Sequence, residues 1–80
     1  MIEADRIAAL VMHPVELRFT EVQGILYAFW YALINSRGSH FRFKKVGFPS
    51  ITIVVHAKKV GKWYVKDMCK ILLIQLPHFL

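Results

Sequence analysis

Two histidines in the second half of the sequence are the residues whose type and spacing could support chemistry. His40 begins a segment that alternates with period two, and His56 ends a second segment rich in branched residues. Imidazole has an ordinary pKa of about 6.5, so it can take or give a proton at neutral pH. Cations such as Arg42 and Lys44 can stabilise negative charge that grows on a phosphorus centre. These groups could together cleave RNA through its own 2′-hydroxyl, without a metal ion.

Two strands must position this pair. The segments 40–45 and 51–56 predict antiparallel strands joined by a loop over 46–50. Alternation places His40 and the cations on one face, and it places on the other face an inward set made of Phe41, Phe43, Ile51, Ile53 and Val55. The histidine face is therefore expected to be free of helices.

The register of these strands decides whether the histidines meet. If Lys45 lies opposite Ile51, then His40 lies opposite His56, with Cβ atoms about 4.5–5.5 Å apart. A slip of one residue would mix the two faces and bury charge. A slip of two residues would preserve both faces, so the pattern favours the first register without making it unique.

The remaining elements follow from periodicity and turn residues. Thr20 and Gln23 resemble a capping box that begins a helix, and Pro77 ends a second helix. The other expectations are a partly helical or irregular lead-in over 1–18, a strand over 30–35, a turn over 35–39, a basic loop over 57–62 and a helix over 64–74. Together they predict one α+β domain over 1–80, a two-layer sandwich of helix, three-stranded antiparallel sheet and helix, with its core at 19–74.

The positive charge is concentrated in one part of the chain. The net charge is +6, and all but two of the 11 Lys and Arg residues lie between 37 and 70. Such a block attracts phosphate polyanions or an acidic protein surface, although a solvated surface would have the same composition. The residues expected to contact RNA are Arg37, Gly38, Ser39, Arg42, Lys44, Lys58, Lys59 and Lys62.

Other residue types predict fewer functions. The single cysteine, Cys69, excludes an internal disulfide, favours a reducing compartment and lies on the apolar stripe of the last helix. His13 and His78 have the character of chain-end residues, and the four histidines lack metal-finger spacing, so no metal or other cofactor is expected.

The apolar runs and aromatic residues have structural interpretations. No apolar run reaches the roughly 20 residues of a membrane span, and the acidic start is unlike a signal peptide, so no membrane association is expected. Trp30, Tyr31 and Trp63 could stack on bases, but core packing or cover of a sheet edge is their more frequent role.

One stretch is similar to a known family. The turn Arg37-Gly38-Ser39-His40, the strand that ends at His56 and the final helix together resemble the HicA toxin family over about residues 19–74. The resemblance implies a fold like the double-stranded RNA-binding domain and cleavage of single-stranded mRNA in the cytoplasm. It also implies that His40 is the functional histidine and that a HicB-like antitoxin covers the active face, with a homodimer or a heterotetramer as the assembly.

The sequence departs from the family pattern at three places. Trp30 stands where the family usually has glycine, Phe41 stands where many members have a second histidine, and 1–18 is an extension. Two other functions are open: a non-catalytic RNA-binding module of the same fold, and a protein-interaction module for an acidic partner.

Overall fold

A computed structural model describes residues 2–76 and contains three helices and five strands. The helices are α1 (Ile2–Met12), α2 (Phe19–Ala28) and α3 (Lys62–Gln75). The strands are β1 (Leu17–Arg18), β2 (Ala32–Arg37), β3 (His40–Lys44), β4 (Ile51–His56) and β5 (Lys59–Val60). The class is α+β as predicted, but the described chain has one more helix and two more strands than expected.

The strands form one open antiparallel sheet in the order β1–β5–β4–β3–β2. Helical and strand residues share a single buried cluster, an arrangement compatible with a two-layer sandwich. The sheet contributes Leu17, Phe43, Ile51, Ile53 and Val60 to this cluster, and the helices contribute Ile7, Leu10, Val22, Ile25, Leu26, Val65, Met68, Cys69 and Leu72. Each of the larger apolar side chains stabilises the fold by about 1.5–3 kcal/mol through burial.

The described part of the lead-in, residues 2–18, is more ordered than predicted. Ile7 and Leu10 are buried on one side of α1, which packs mainly against α3. The helix ends at Met12, shortly before Pro14, whose ring and missing N–H cannot continue it. The extension therefore belongs to the core of the domain.

The expected basic loop over 57–62 is also ordered. Ala57 and Lys58 have φ values of 51° and 64°, so they form a two-residue hairpin turn between β4 and β5. β5 then pairs with β1, and the Phe19 N–H donates to the Lys58 carbonyl at 2.9 Å. Two-residue strands are too short to give a periodic signal, so the sequence pattern did not predict them.

The start of α2 lies one residue earlier than Thr20. The backbone N–H of Arg18 donates to Glu21 Oε1 at 3.2 Å, so Glu21 takes the role that was expected of Gln23. The prediction of a Thr20–Gln23 capping box was wrong because β1 runs directly into the helix.

Trp30 lies two residues beyond the end of α2, in an unusual backbone conformation. Its φ is 69°, a left-handed value that glycine adopts without strain. The N–H of Tyr31 donates to the Leu26 carbonyl at 3.0 Å, which closes the helix end. Trp30 is 76% exposed and Tyr31 is buried. The prediction of core packing is therefore confirmed for Tyr31 and wrong for Trp30.

The last helix extends slightly beyond its predicted range of 64–74. Cys69 is fully buried on its inner stripe, as the spacing predicted. Trp63 is 62% exposed in the first turn, so the expectation of core packing was wrong for this side chain. Pro77 and His78 lie outside the described residues.

Candidate functional site

The ladder between β3 and β4 has a different register from the favoured one. His40 lies opposite Val54, and Phe43 lies opposite Ile51. The prediction that His40 lies opposite His56 was therefore wrong. The register has slipped by two residues, the change that keeps every side chain on its predicted face.

Lys45 explains this slip. β3 ends at Lys44, and the Nζ of Lys45 donates to Gln75 Oε1 on α3 at 2.9 Å. The same ammonium lies 4.3 Å from the centre of the Phe48 ring. Lys45 thus belongs to the loop and does not pair with Ile51, which lies opposite Phe43, two residues earlier in the chain.

The two histidines are diagonal neighbours on the outer face of the sheet. His56 lies two residues beyond Val54, so alternation places it on the side of His40, and both side chains are exposed. Diagonal positions place the two Cβ atoms about 7 Å apart. This separation is larger than the roughly 4.5–5.5 Å between the Cβ atoms of directly opposite residues.

Each histidine has a cationic residue directly opposite it on the other neighbouring strand. His40 pairs with Arg37 on β2, and His56 pairs with Lys59 on β5. A bulge between Leu33 and Asn35 shifts the pairing of the C-terminal part of β2 with β3, and this shift places Arg37 opposite His40. The sheet therefore presents two pairs, each made of one imidazole and one cation.

The charged strand residues on the outer face are all basic. Alternation places Arg42 and Lys44 beside His40 along β3, and it places Arg18 opposite Lys59. None of the five strands contains Asp or Glu. Glu16 lies 3.7 Å from Lys59, an exposed ion pair worth about 0–1 kcal/mol. The outer face therefore has a positive field.

The residues at the hairpin tips lie beside the histidines. Gly38 and Ser39 form the two-residue turn between Arg37 and His40, and Gly38 has a φ of 58° that a side chain would strain. The Val55 N–H donates to the Ser39 carbonyl at 2.8 Å, which holds the β2–β3 tip against β4. An open cavity of about 570 Å³ lies between the two tips and the start of α2.

The eight residues predicted to contact RNA are partly brought together. Arg37, Arg42, Lys44 and Lys59 share the outer face, whereas Gly38, Ser39 and Lys58 line the cavity. Lys62 begins α3, outside the sheet, with its Nζ 5.1 Å from the centre of the Trp63 ring.

Arg18 and Phe19 were missed by the sequence analysis. Both line the cavity, and Arg18 also belongs to the outer face. Apolar and polar residues alternate from Val15 to Phe19, but β1 covers only two of these positions, too few to identify a strand from sequence alone.

A second polar cluster lies away from the histidines. Gln75 is buried, and its Nε2 donates to the Tyr31 hydroxyl, which in turn donates to the Pro49 carbonyl. Burial raises the pKa of Tyr31, and the hydrogen bond from Gln75 partly opposes that change. Burial lowers the pKa of Lys45. This cluster fixes the loop over 45–50 to α3.

Comparisons with known proteins identify no relative. No protein-family model, no curated protein and no solved structure matches this chain. Among residues 2–76, no helix has the length and apolar character needed to cross a bilayer. The resemblance to the HicA family therefore stays a prediction.

Proposed function

We propose that this chain binds single-stranded RNA on the outer face of its sheet and cleaves it with His40 and His56. The observation that supports this proposal is the placement of both imidazoles on one exposed face, each opposite a cation. Such a face attracts the phosphodiesters of RNA, because each phosphate carries a negative charge and the neighbouring ribose 2′-hydroxyl offers a proton for transfer.

The electrostatics favour RNA over an uncharged ligand. Arg37, Arg42 and Lys44 lie along the two strands beside His40, and the strands have no carboxylate to neutralise them. Each phosphate contact releases condensed counterions, which gives affinity without sequence preference. Exposed cations keep their hydration until a polyanion replaces it, so binding is expected to fall steeply with salt.

The proposed reaction uses both histidines. One imidazole takes the proton of the 2′-hydroxyl, whose oxygen attacks the phosphorus and forms the O2′–P bond. The other imidazolium gives a proton to the 5′-oxygen as the P–O5′ bond breaks. The products are a 2′,3′-cyclic phosphate and a 5′-hydroxyl, with one proton moved from one oxygen to the other. Arg37 and Lys59 stabilise the charge on the phosphorane.

The biological setting that fits this reaction is a toxin of a HicA–HicB type system in the cytoplasm. A free RNase that acts on mRNA stops growth, so a partner has to block it. The basic face predicts a partner with an acidic surface that covers the histidines. Positive charge and exposed imidazoles would then serve both RNA and the antitoxin.

The decisive experiment is RNA cleavage by the pure chain in the presence of a chelator. We expect His40→Ala and His56→Ala each to lower the cleavage rate about 10²–10⁴-fold, because each removes one proton-transfer group. His13→Ala is the matched control, since His13 is exposed in the connection between α1 and β1 and belongs to no strand of the sheet. Mass analysis is expected to show cyclic phosphate ends.

The same experiment separates the alternatives. Folded His40→Ala protein that cleaves as fast as the wild type, or products with 5′-phosphate ends, would contradict the catalytic assignment. RNA that is bound and left intact by the wild type would favour a non-catalytic RNA-binding module. A lack of RNA binding even at low salt would favour a module for an acidic protein.

A further inference from the structure

The cavity at the hairpin tips has one apolar wall and one cationic rim. Phe19 and Phe41 form part of the wall, with ring centres 4.5 Å apart and planes tilted by 45°. Val55 continues this wall, and Arg18 and Lys58 lie at the rim. The cavity therefore suits a flat apolar group that is attached to an anion.

The cavity lies beside the histidines along the same strands. Phe41 directly follows His40, and Val55 directly precedes His56. Because neighbouring strand residues point to opposite faces, the cavity and the imidazoles lie on the two sides of one end of the sheet. A short linker around the hairpin tips would connect a group in the cavity with a phosphate at the histidines.

We infer that this cavity binds one unpaired nucleobase of the RNA, an inference that depends on the proposed function. A nucleobase is flat, stacks on aromatic rings and is joined through ribose to a phosphate. The volume of about 570 Å³ lies within the range of small-molecule sites, about 300–1,000 Å³. Ser39 and Thr20 line the same space, and each has a hydroxyl group of the kind that hydrogen-bonds to base edges.

This site selects single-stranded RNA. A base in a duplex has to be unstacked and unpaired before it can enter a pocket, whereas a base in a single strand enters at a much smaller cost in free energy. The cavity thus supplies a preference for unpaired RNA that the basic face alone does not. Cations recognise the phosphates of either form.

The direct test uses nucleotides that cannot be cleaved. Amide chemical shifts of the full chain are recorded with uridine 5′-monophosphate, adenosine 5′-monophosphate, ribose 5-phosphate and inorganic phosphate. We expect the two nucleotides to shift Gly38, Ser39 and Lys58, and the two probes without a base to shift them much less. Equal shifts with ribose 5-phosphate would overturn the inference, because they would indicate a phosphate site without base binding.

A cavity-filling variant tests the role of the site in RNA binding. Thr20 is exposed in the first turn of α2 and lines the cavity, so Thr20→Phe is expected to occupy the space of the base. We expect KM for single-stranded RNA to rise about tenfold while kcat stays near the wild-type value. Ala8→Phe adds the same ring at an exposed position of α1 and is expected to change neither constant.

The two proposals fail in different ways. Base-dependent shifts without RNA cleavage would contradict the endoribonuclease proposal and support the base site. Cleavage with a KM that Thr20→Phe leaves unchanged, in a variant whose circular dichroism matches the wild type, would overturn the base site alone.

Discussion

The salt dependence of RNA binding can be worked out from the outer face. Five cations lie there by ladder position, namely Arg18, Arg37, Arg42, Lys44 and Lys59. Lys59 has to exchange its ion pair with Glu16 for a phosphate, so only the other four cations are counted toward the slope. A single strand gives a slope of about −0.7 per phosphate contact in a plot of log K against log salt concentration. We therefore expect a slope of about −3 for the wild-type chain.

Removal of one cation should change this slope by a known amount. For Arg42→Ala we expect a slope about 0.7 less steep. The ratio of the wild-type affinity to the Arg42→Ala affinity should therefore fall about 2.6-fold between roughly 50 and 200 mM salt. Lys70→Ala is the matched control, since Lys70 is an exposed cation on α3 and not on the sheet. Both changes lower the net charge by one, but only Arg42→Ala removes a predicted phosphate contact.

Fluorescence anisotropy with a labelled 2′-O-methyl RNA measures this slope, because such RNA cannot react through its 2′-oxygen. If Lys70→Ala changed the slope as much as Arg42→Ala, net charge would control binding and the sheet face would have no special role. If neither variant changed it, the RNA would lie on another surface. Both results would refute the reasoning from the ladder.

Two further predictions concern stability. Trp30→Gly is expected to raise the free energy of unfolding by about 1 kcal/mol in urea denaturation, because glycine relieves the left-handed strain and little burial is lost; a loss of stability would show that the exposed indole packs more than its exposure indicates. The raised pKa of Tyr31 means that its folded form keeps a proton that the unfolded form loses above pH ~10, so wild-type stability is expected to fall as pH rises beyond that value. Tyr31→Phe should weaken this fall and Tyr64→Phe should not, since Tyr64 is exposed; equal pH curves for the wild type and Tyr31→Phe would exclude the proposed cause.

The sequence predicted those elements that bury a periodic stripe over several turns or alternations. α2 and α3 have such stripes, and β3 and β4 alternate with enough apolar residues to define an inner face. β1 and β5 are only two residues long, so neither shows a repeated alternation of apolar and polar residues. Their pairing is set by the β4–β5 turn and by contact with α2, which local sequence patterns do not encode.

The sequence predicted which face of the sheet carries the two histidines, but it did not predict the register between the strands that position them. The face that a strand residue occupies depends on whether its number is odd or even, and the inward apolar residues of β3 and β4 all have odd numbers. Register depends on where the β3–β4 loop begins, and here a hydrogen bond from Lys45 to Gln75 decides it. These two residues lie 30 positions apart, so no local pattern could have related them.

The diagonal placement suits the proposed reaction better than the opposition that the sequence favoured. In an in-line displacement at phosphorus, the attacking and leaving oxygens lie on opposite sides of the transferred group, so the base and the acid must lie on either side of it. Imidazoles directly opposite each other would have Cβ atoms about 4.5–5.5 Å apart and would leave little room for a phosphate between them. The slip to about 7 Å opens that space. The same alternation that turns His40 and His56 outward turns Phe41 and Val55 towards the cavity, so one end of a small sheet can hold the phosphate on one face and the base on the other.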